Sequence, residues 1–277
     1  MFRTLISVDA LKEHLGDADF VIVDCRFDLS RPPEAGREAY LRSHIPGAVY
    51  VHLDEDLSGF PGLSKGRHPL PSPQAMVALF SRLGIDKTKQ VVVYDSSEGS
   101  ICARLWWMLR FMGHTGVALL DGGWPLWFRA DLPHRSGEER NAVALFEGQP
   151  RFDRLARIEE IASLRLLVDS RDPARYRGDH EPIDPVAGHI PGAVNHFWRE
   201  NLDPNGRFSS QAQLRDRFQG VTENTFTEEV VFYCGSGVTA CHNIVAAVHS
   251  GLPEPRLYAG SWSEWCSDPG RPVAIGA

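Results

Sequence analysis

The chain has 277 residues, room for two domains of ordinary size, and its 43% hydrophobic and 23% charged content is that of a water-soluble globular protein. A net charge of -7, from 29 basic and 36 acidic residues, argues against nucleic acid or an anionic membrane as partner, so an anionic ligand must be attracted by local charge. Five cysteines without a Cys-x-x-Cys pair make neither a disulfide framework nor a zinc-ligand spacing.

The first nine residues lack the apolar core of a signal peptide, and no run approaches the roughly 18 apolar residues of a membrane span. These features predict a soluble, cytoplasmic chain with free thiols. In chain order, residues 20–23 read as a strand, 73–83 as a helix stopped by Gly84, 91–94 as a strand, and 101–112 as a helix stopped by Gly113. Residues 135–150 are mostly polar and read as a linker. Strands follow at 166–168 and 230–233, then a helix from Cys241 to Ser250, closed by Gly251. The strand runs are apolar throughout, as expected where helices cover both faces of a sheet.

Four blocks of this order occur twice. Val21-Ile22-Val23-Asp24-Cys25-Arg26 recurs as Leu166-Leu167-Val168-Asp169-Ser170-Arg171, and His44-Ile45-Pro46-Gly47-Ala48-Val49 as His189-Ile190-Pro191-Gly192-Ala193-Val194, both at an offset of 145. Val91-Val92-Val93-Tyr94-Asp95 matches Val230-Val231-Phe232-Tyr233-Cys234, and Asp121-Gly122-Gly123-Trp124 matches Ala259-Gly260-Ser261-Trp262. Blocks in the same order with a drifting offset mean a duplicated domain. Strand and helix alternate, so each copy is an α/β domain with a mostly parallel sheet and helices on both faces. Turn formation and buried hydrogen bonding account for Asp24, Asp169 and the His-Ile-Pro-Gly turns without any catalytic role.

The copies diverge where the third strand block ends. The first has Asp95-Ser96-Ser97-Glu98-Gly99, the second Cys234-Gly235-Ser236-Gly237-Val238-Thr239. Gly235 and Gly237 permit a turn whose successive N–H groups point inward, and the following helix adds partial positive charge at its N-terminus. Both favour thiolate at Cys234, the nucleophilic form. The phosphatase signature Cys-x5-Arg requires arginine at position 240, where alanine stands, so a Cys-dependent phosphatase or arsenate reductase is the weaker alternative. Cys25, Cys102, Cys241 and Cys266 read as packing residues.

These doubled motifs, Val-Asp-x-Arg, His-Ile-Pro-Gly-Ala, the Cys234 loop and Gly-x-Trp, resemble the tandem-domain rhodaneses, the thiosulfate and 3-mercaptopyruvate sulfurtransferases. The resemblance implies two tandem rhodanese-like domains: a catalytically silent domain over 1–135 with Asp95 at the cysteine position, a linker over 136–150, and a catalytic domain over 151–277. It implies a persulfide on Cys234, without cofactor or metal. Sulfur would come from 3-mercaptopyruvate or thiosulfate and pass to cyanide, thiols or thioredoxin-like proteins; a carrier charged by another protein is the remaining alternative. By the same resemblance, Gly235, Gly237, Val238 and Thr239 surround the persulfide, Arg175 and then Arg177 bind the donor, and Ser236, His44 and an acid at Glu34 assist transfer. Gly235 and Ser236 favour mercaptopyruvate, whereas Ile183 stands where that branch often has an arginine.

Overall fold

The apolar runs become the central strands of two parallel sheets, one in each compact unit of the chain. The computed structural model describes residues 1–60, 66–222, 226–227 and 229–276. One unit comprises Met1–Ser58, Pro71–Arg151 and Asn205–Arg207; the other comprises the described part of Gly59–Leu70, with Phe152–Pro204 and Phe208–Ala277. Residues 66–70 therefore belong to the second unit, although they precede most of the first. No helix among the described residues is long and apolar enough to cross a membrane.

The first unit runs β1 (Leu5–Ile6), α1 (Val8–Glu13), β2 (Phe20–Asp24), α2 (Ala35–Arg42), β3 (Val49–Tyr50), α3 (Pro73–Arg82), β4 (Gln90–Tyr94), α4 (Cys102–Phe111), β5 (Val117–Leu120) and α5 (Gly123–Arg129). Its sheet has the order β1-β5-β4-β2-β3, with every pairing parallel. All five residues of β4 are buried, which is why the run shows no polar alternation. The second unit runs β6 (Leu167–Asp169), α6 (Pro173–Arg177), β7 (Val194–Asn195), α7 (Gln211–Val221), β8 (Val231–Tyr233), α8 (Ala240–His249), β9 (Arg256–Leu257) and α9 (Ser261–Trp265). Its parallel sheet has the order β7-β6-β8-β9.

The repeated motifs build the same latch in each unit. Asp24 receives Arg26 Nε at 2.9 Å and the Tyr94 hydroxyl at 2.7 Å, while Arg26 also donates to the Ser43 carbonyl and lies 4.6 Å over Trp124. In the second unit Arg171 donates to Asp169 and to the Gly188 carbonyl, and lies 4.7 Å over Trp262. Burial lifts the Asp24 carboxyl above its ordinary range, and its bonds from Arg26 and Tyr94 oppose that rise. The histidine of each His-Ile-Pro-Gly turn is part of this scaffold. His44 stacks on Tyr40 with Nδ1 2.8 Å from the Tyr40 carbonyl, and His189 stacks on Tyr176 with Nδ1 2.8 Å from that carbonyl.

The stretch expected as a linker contains no helix or strand, yet it is fastened to the first unit. Ala144 N donates to the Ser81 carbonyl, Phe146 N to Ser81 Oγ, and the buried Phe146 ring packs on Phe80 with centroids 4.9 Å apart.

In the second unit His196 is buried against Phe218, with Nε2 2.9 Å from Arg217 Nη1 and no hydrogen-bond partner at Nδ1. Burial, reinforced by the Arg217 charge, pushes its pKa down to about 3. The native state therefore refuses a proton that the unfolded chain accepts. The stability this histidine confers is complete above the unfolded value of about 6.5 and is lost as pH falls toward 3. Denaturant unfolding from pH 7 to 4 should show wild type losing more stability than His196→Gln, by on the order of a few kcal/mol; parallel curves would refute this.

Candidate active site

β8 ends at Tyr233 and α8 begins at Ala240, so Cys234–Thr239 must turn the chain from strand to helix within six residues. The turn requires glycine at 237, where φ is +76° and a Cβ would lie 2.3 Å from the Ala259 carbonyl oxygen. The loop is then pinned from the other side. Trp262 N donates to the Cys234 carbonyl at 3.0 Å, Ser263 N to the Gly235 carbonyl at 2.9 Å, and Cys234 N to Ser261 Oγ at 3.1 Å. Ser261 adopts φ +57°, left-handed for a side-chain-bearing residue, and its hydroxyl donates to the Tyr258 carbonyl. Its counterpart in the first unit is a glycine, Gly123, with φ +54°. Cys234 itself is 2% exposed.

The corresponding loop of the first unit shows what such a turn receives. Asp95 is fully buried, and its carboxylate accepts four backbone N–H groups: Ser97 at 2.8 Å and Gly99, Ile101 and Cys102 at 2.9 Å each. Its turn places Glu98 at φ +61°, the position matching Gly237. At the constant offset of 139, those four donors correspond to Ser236, Val238, Ala240 and Cys241. The carboxylate oxygens of Asp95 stand two bonds beyond Cβ, as the outer sulfur of a cysteine persulfide would.

Other expected residues are distributed unevenly. The Ser236 hydroxyl lies 2.7 Å from a histidine nitrogen, but that histidine is His68, not His44. His44 is instead fully buried in the first unit, its Nδ1 committed to Tyr40 and its Nε2 without a hydrogen-bond partner. Because His189 repeats that arrangement, the His-Ile-Pro-Gly histidine serves the turn in both copies. Glu34 is exposed at the N-cap of α2 and does not cap it. Val238 is buried, and Thr239 is the N-cap of α8 without a capping side-chain bond.

Arg175 lies beside the loop: its Nη atoms are 3.6 Å from where a Gly235 Cβ would stand. It pairs with Glu181 at 2.7 Å and Asp184 at 3.1 Å. Arg177, by contrast, is a surface side chain paired with Asp179 at 2.8 Å. Ile183 is exposed. Burial raises the thiols of Cys25, Cys102 and Cys266, which therefore resist ionisation.

Arg67, His68 and Asp184 were not anticipated. Arg67 pairs with Asp184, donates its backbone N–H to Ser263 Oγ at 3.1 Å, and brings Nη2 to 2.9 Å from the site of a Gly235 Cβ. Both Arg67 and His68 come from a segment outside the repeated blocks, each 168 residues before the loop residue it meets, so no local spacing could link them to it.

Comparison with known proteins matches this architecture twice over: the rhodanese-like domain model covers residues 7–130 and 153–268. The chain belongs to the rhodanese-like family. A Pseudomonas aeruginosa protein described as a probable 3-mercaptopyruvate sulfurtransferase is 44% identical over 283 residues, 98% of each chain. A Mycobacterium tuberculosis relative bearing the name of a thiosulfate sulfurtransferase is 40% identical over 92% of this chain and 90% of its own. The solved structure of 3-mercaptopyruvate sulfurtransferase from Leishmania major superposes with a TM-score of 0.85 at 30% identity, over 96% of this chain and 74% of that one.

Two outcomes follow from the paired loops. Asp95→Asn turns one acceptor oxygen into a donor facing the N–H cradle, which should cost roughly 2–4 kcal/mol in denaturant unfolding; a change below about 0.5 kcal/mol would show the bonds to be dispensable. Ser261→Gly relieves left-handed strain while removing the acceptor for Cys234 N–H. Stability should stay within about 1 kcal/mol while the sulfur-transfer rate falls several-fold; an unchanged rate would remove Ser261 from the positioning of Cys234.

Proposed function

We propose that this chain is a sulfurtransferase that carries sulfur as a persulfide on Cys234, taking it from 3-mercaptopyruvate in preference to thiosulfate. The observation that carries the reading is the pair of matching strand-to-helix loops: the first is filled by the Asp95 carboxylate, and the second has at that position a cysteine one heavy atom short of the same reach. A site that stabilises an anion two bonds beyond Cβ suits Cys–S–S⁻. The names of the relatives support the same reaction and include both donors.

The Cys234 thiolate attacks the sulfur of the donor. With mercaptopyruvate, the C–S bond breaks and its electron pair passes to the adjacent carbon as an enolate. The enolate then takes a proton; net, the donor's thiol proton ends on carbon and the sulfur remains on Cys234 as the persulfide anion. Ser236 and His68, 2.7 Å apart, form a hydroxyl–imidazole pair able to relay that proton two residues from Cys234. With thiosulfate, the S–S bond breaks and sulfite leaves with the pair. In the second half-reaction an acceptor attacks the outer sulfur and the electron pair returns to Cys234; cyanide, a small thiol or the cysteine of a thioredoxin-like protein fits this step. Arg175 supplies the positive charge beside Cys234 that the overall charge of -7 does not.

Steady-state transfer to cyanide should give parallel double-reciprocal lines, the mark of a covalent intermediate. Cys234→Ser should lower kcat by roughly a thousandfold or more, and Ser236→Ala should lower it less, by roughly 10- to 100-fold. Full activity in Cys234→Ser would end this reading.

A further inference from the structure

The tryptophan that follows each left-handed residue, Trp124 or Trp262, is succeeded by a different residue in the two units. In the first unit Trp124 N holds the Asp95 carbonyl at 2.9 Å, and the next residue, Pro125, has no N–H to give. In the second unit Trp262 N holds the Cys234 carbonyl at 3.0 Å, and the next residue is Ser263. All of its polar atoms are used. Ser263 N donates to the Gly235 carbonyl at 2.9 Å, its hydroxyl donates to the Gly260 carbonyl at 3.2 Å, and the same oxygen accepts Arg67 N–H at 3.1 Å. The residue is buried.

Ser263 therefore holds both sides of the hydroxyl–imidazole pair, one residue back on each. Ser236 follows Gly235, whose carbonyl Ser263 takes, and His68 follows Arg67, whose N–H Ser263 takes. Between these two ties the buried Ser236 and His68 side chains meet at 2.7 Å. On its other side His68 precedes Pro69, which confines the His68 backbone to extended geometry, and the Pro69 carbonyl accepts Gly59 N at 2.7 Å. Proton transfer needs hydrogen-bond reach, roughly 2.6–3.2 Å, so a shift of about 0.5 Å would carry His68 to the edge of that range. The Arg67 tie is the one that opposes such a shift from the side of the cysteine loop.

We propose that Ser263 is a positioning residue for the proton-transfer half of the reaction: its hydroxyl registers the Arg67-His68 segment against the cysteine loop, so that the His68 imidazole faces Ser236. Ser263 acts through His68 and not on the donor itself. This inference rests on the sulfurtransferase reading above. It gives a reason for serine in the second copy where the first, whose loop has no cysteine, carries proline.

The two half-reactions provide the test, because only the first moves a proton onto carbon. With the full chain, single-turnover release of pyruvate from 3-mercaptopyruvate reads the first, and discharge of the loaded persulfide by cyanide reads the second. Ser263→Ala keeps the N–H on the Gly235 carbonyl and removes the acceptor of Arg67 N–H. Pyruvate release should slow roughly 3- to 10-fold, the equivalent of one neutral hydrogen bond, while discharge to cyanide stays within about twofold. In a Ser236→Ala background the same substitution should change pyruvate release by less than about twofold, since the pair it positions is already gone. Equal slowing of both half-reactions would make Ser263 a general prop of the loop. Unchanged pyruvate release, or undiminished slowing in the Ser236→Ala background, would detach it from His68. Each of these three results overturns the assignment while leaving sulfur transfer by wild type intact. Failure of wild type to retain sulfur from the donor would instead sink the underlying reading, and this inference with it.

Discussion

The structure turns on a short strand-to-helix turn that must satisfy several backbone N–H groups with one buried anion. Such donors cannot be left without acceptors away from water. In the first unit the chain meets the demand with its own carboxylate, Asp95. In the second the matching residue is Cys234, whose side chain is shorter by one heavy atom, and the proposed persulfide would restore that reach. The chemistry proposed for this protein thus places an anion where the first unit holds a carboxylate.

Duplication supplies an internal comparison between scaffold and chemistry. Features present in both units belong to the scaffold: the Asp-x-Arg latch, the arginine over tryptophan, and the histidine stacked on tyrosine in the His-Ile-Pro-Gly turn. Features confined to the second unit mark the candidate site: Cys234, the strained Ser261 whose hydroxyl takes the Cys234 N–H, and the Arg67-His68 pair against Gly235-Ser236. By this criterion His44 falls on the scaffold side. Arg67, which no repeat anticipates, falls on the side of the site.

Much of this was legible in the sequence because it is local. The buried strands announce themselves as unbroken apolar runs, the helix stops as Gly84 and Gly113, and the duplication as four ordered blocks. The cysteine loop was legible for the same reason: strand, cysteine, glycines and helix are contiguous. The two-residue strands were not, since Val49–Tyr50 and Arg256–Leu257 carry too few residues for any periodicity. Nor were the partners of the loop. His68 and Arg67 reach it by tertiary placement alone, and Asp184 gains its role only from the two arginines on either side of it. His44 belongs to a motif repeated in both halves, and in each half its histidine stacks on a tyrosine within the turn.

The central claim is that the Cys234 turn is built for one additional sulfur. Treating wild type with 3-mercaptopyruvate in the absence of acceptor, then measuring intact and peptide masses, tests it most directly. The account predicts one sulfur atom added per chain, located on the peptide that contains Cys234 and removed by cyanide. Sulfur on Cys25, Cys102, Cys241 or Cys266 instead, or turnover of the donor with no sulfur retained on the protein, would contradict it.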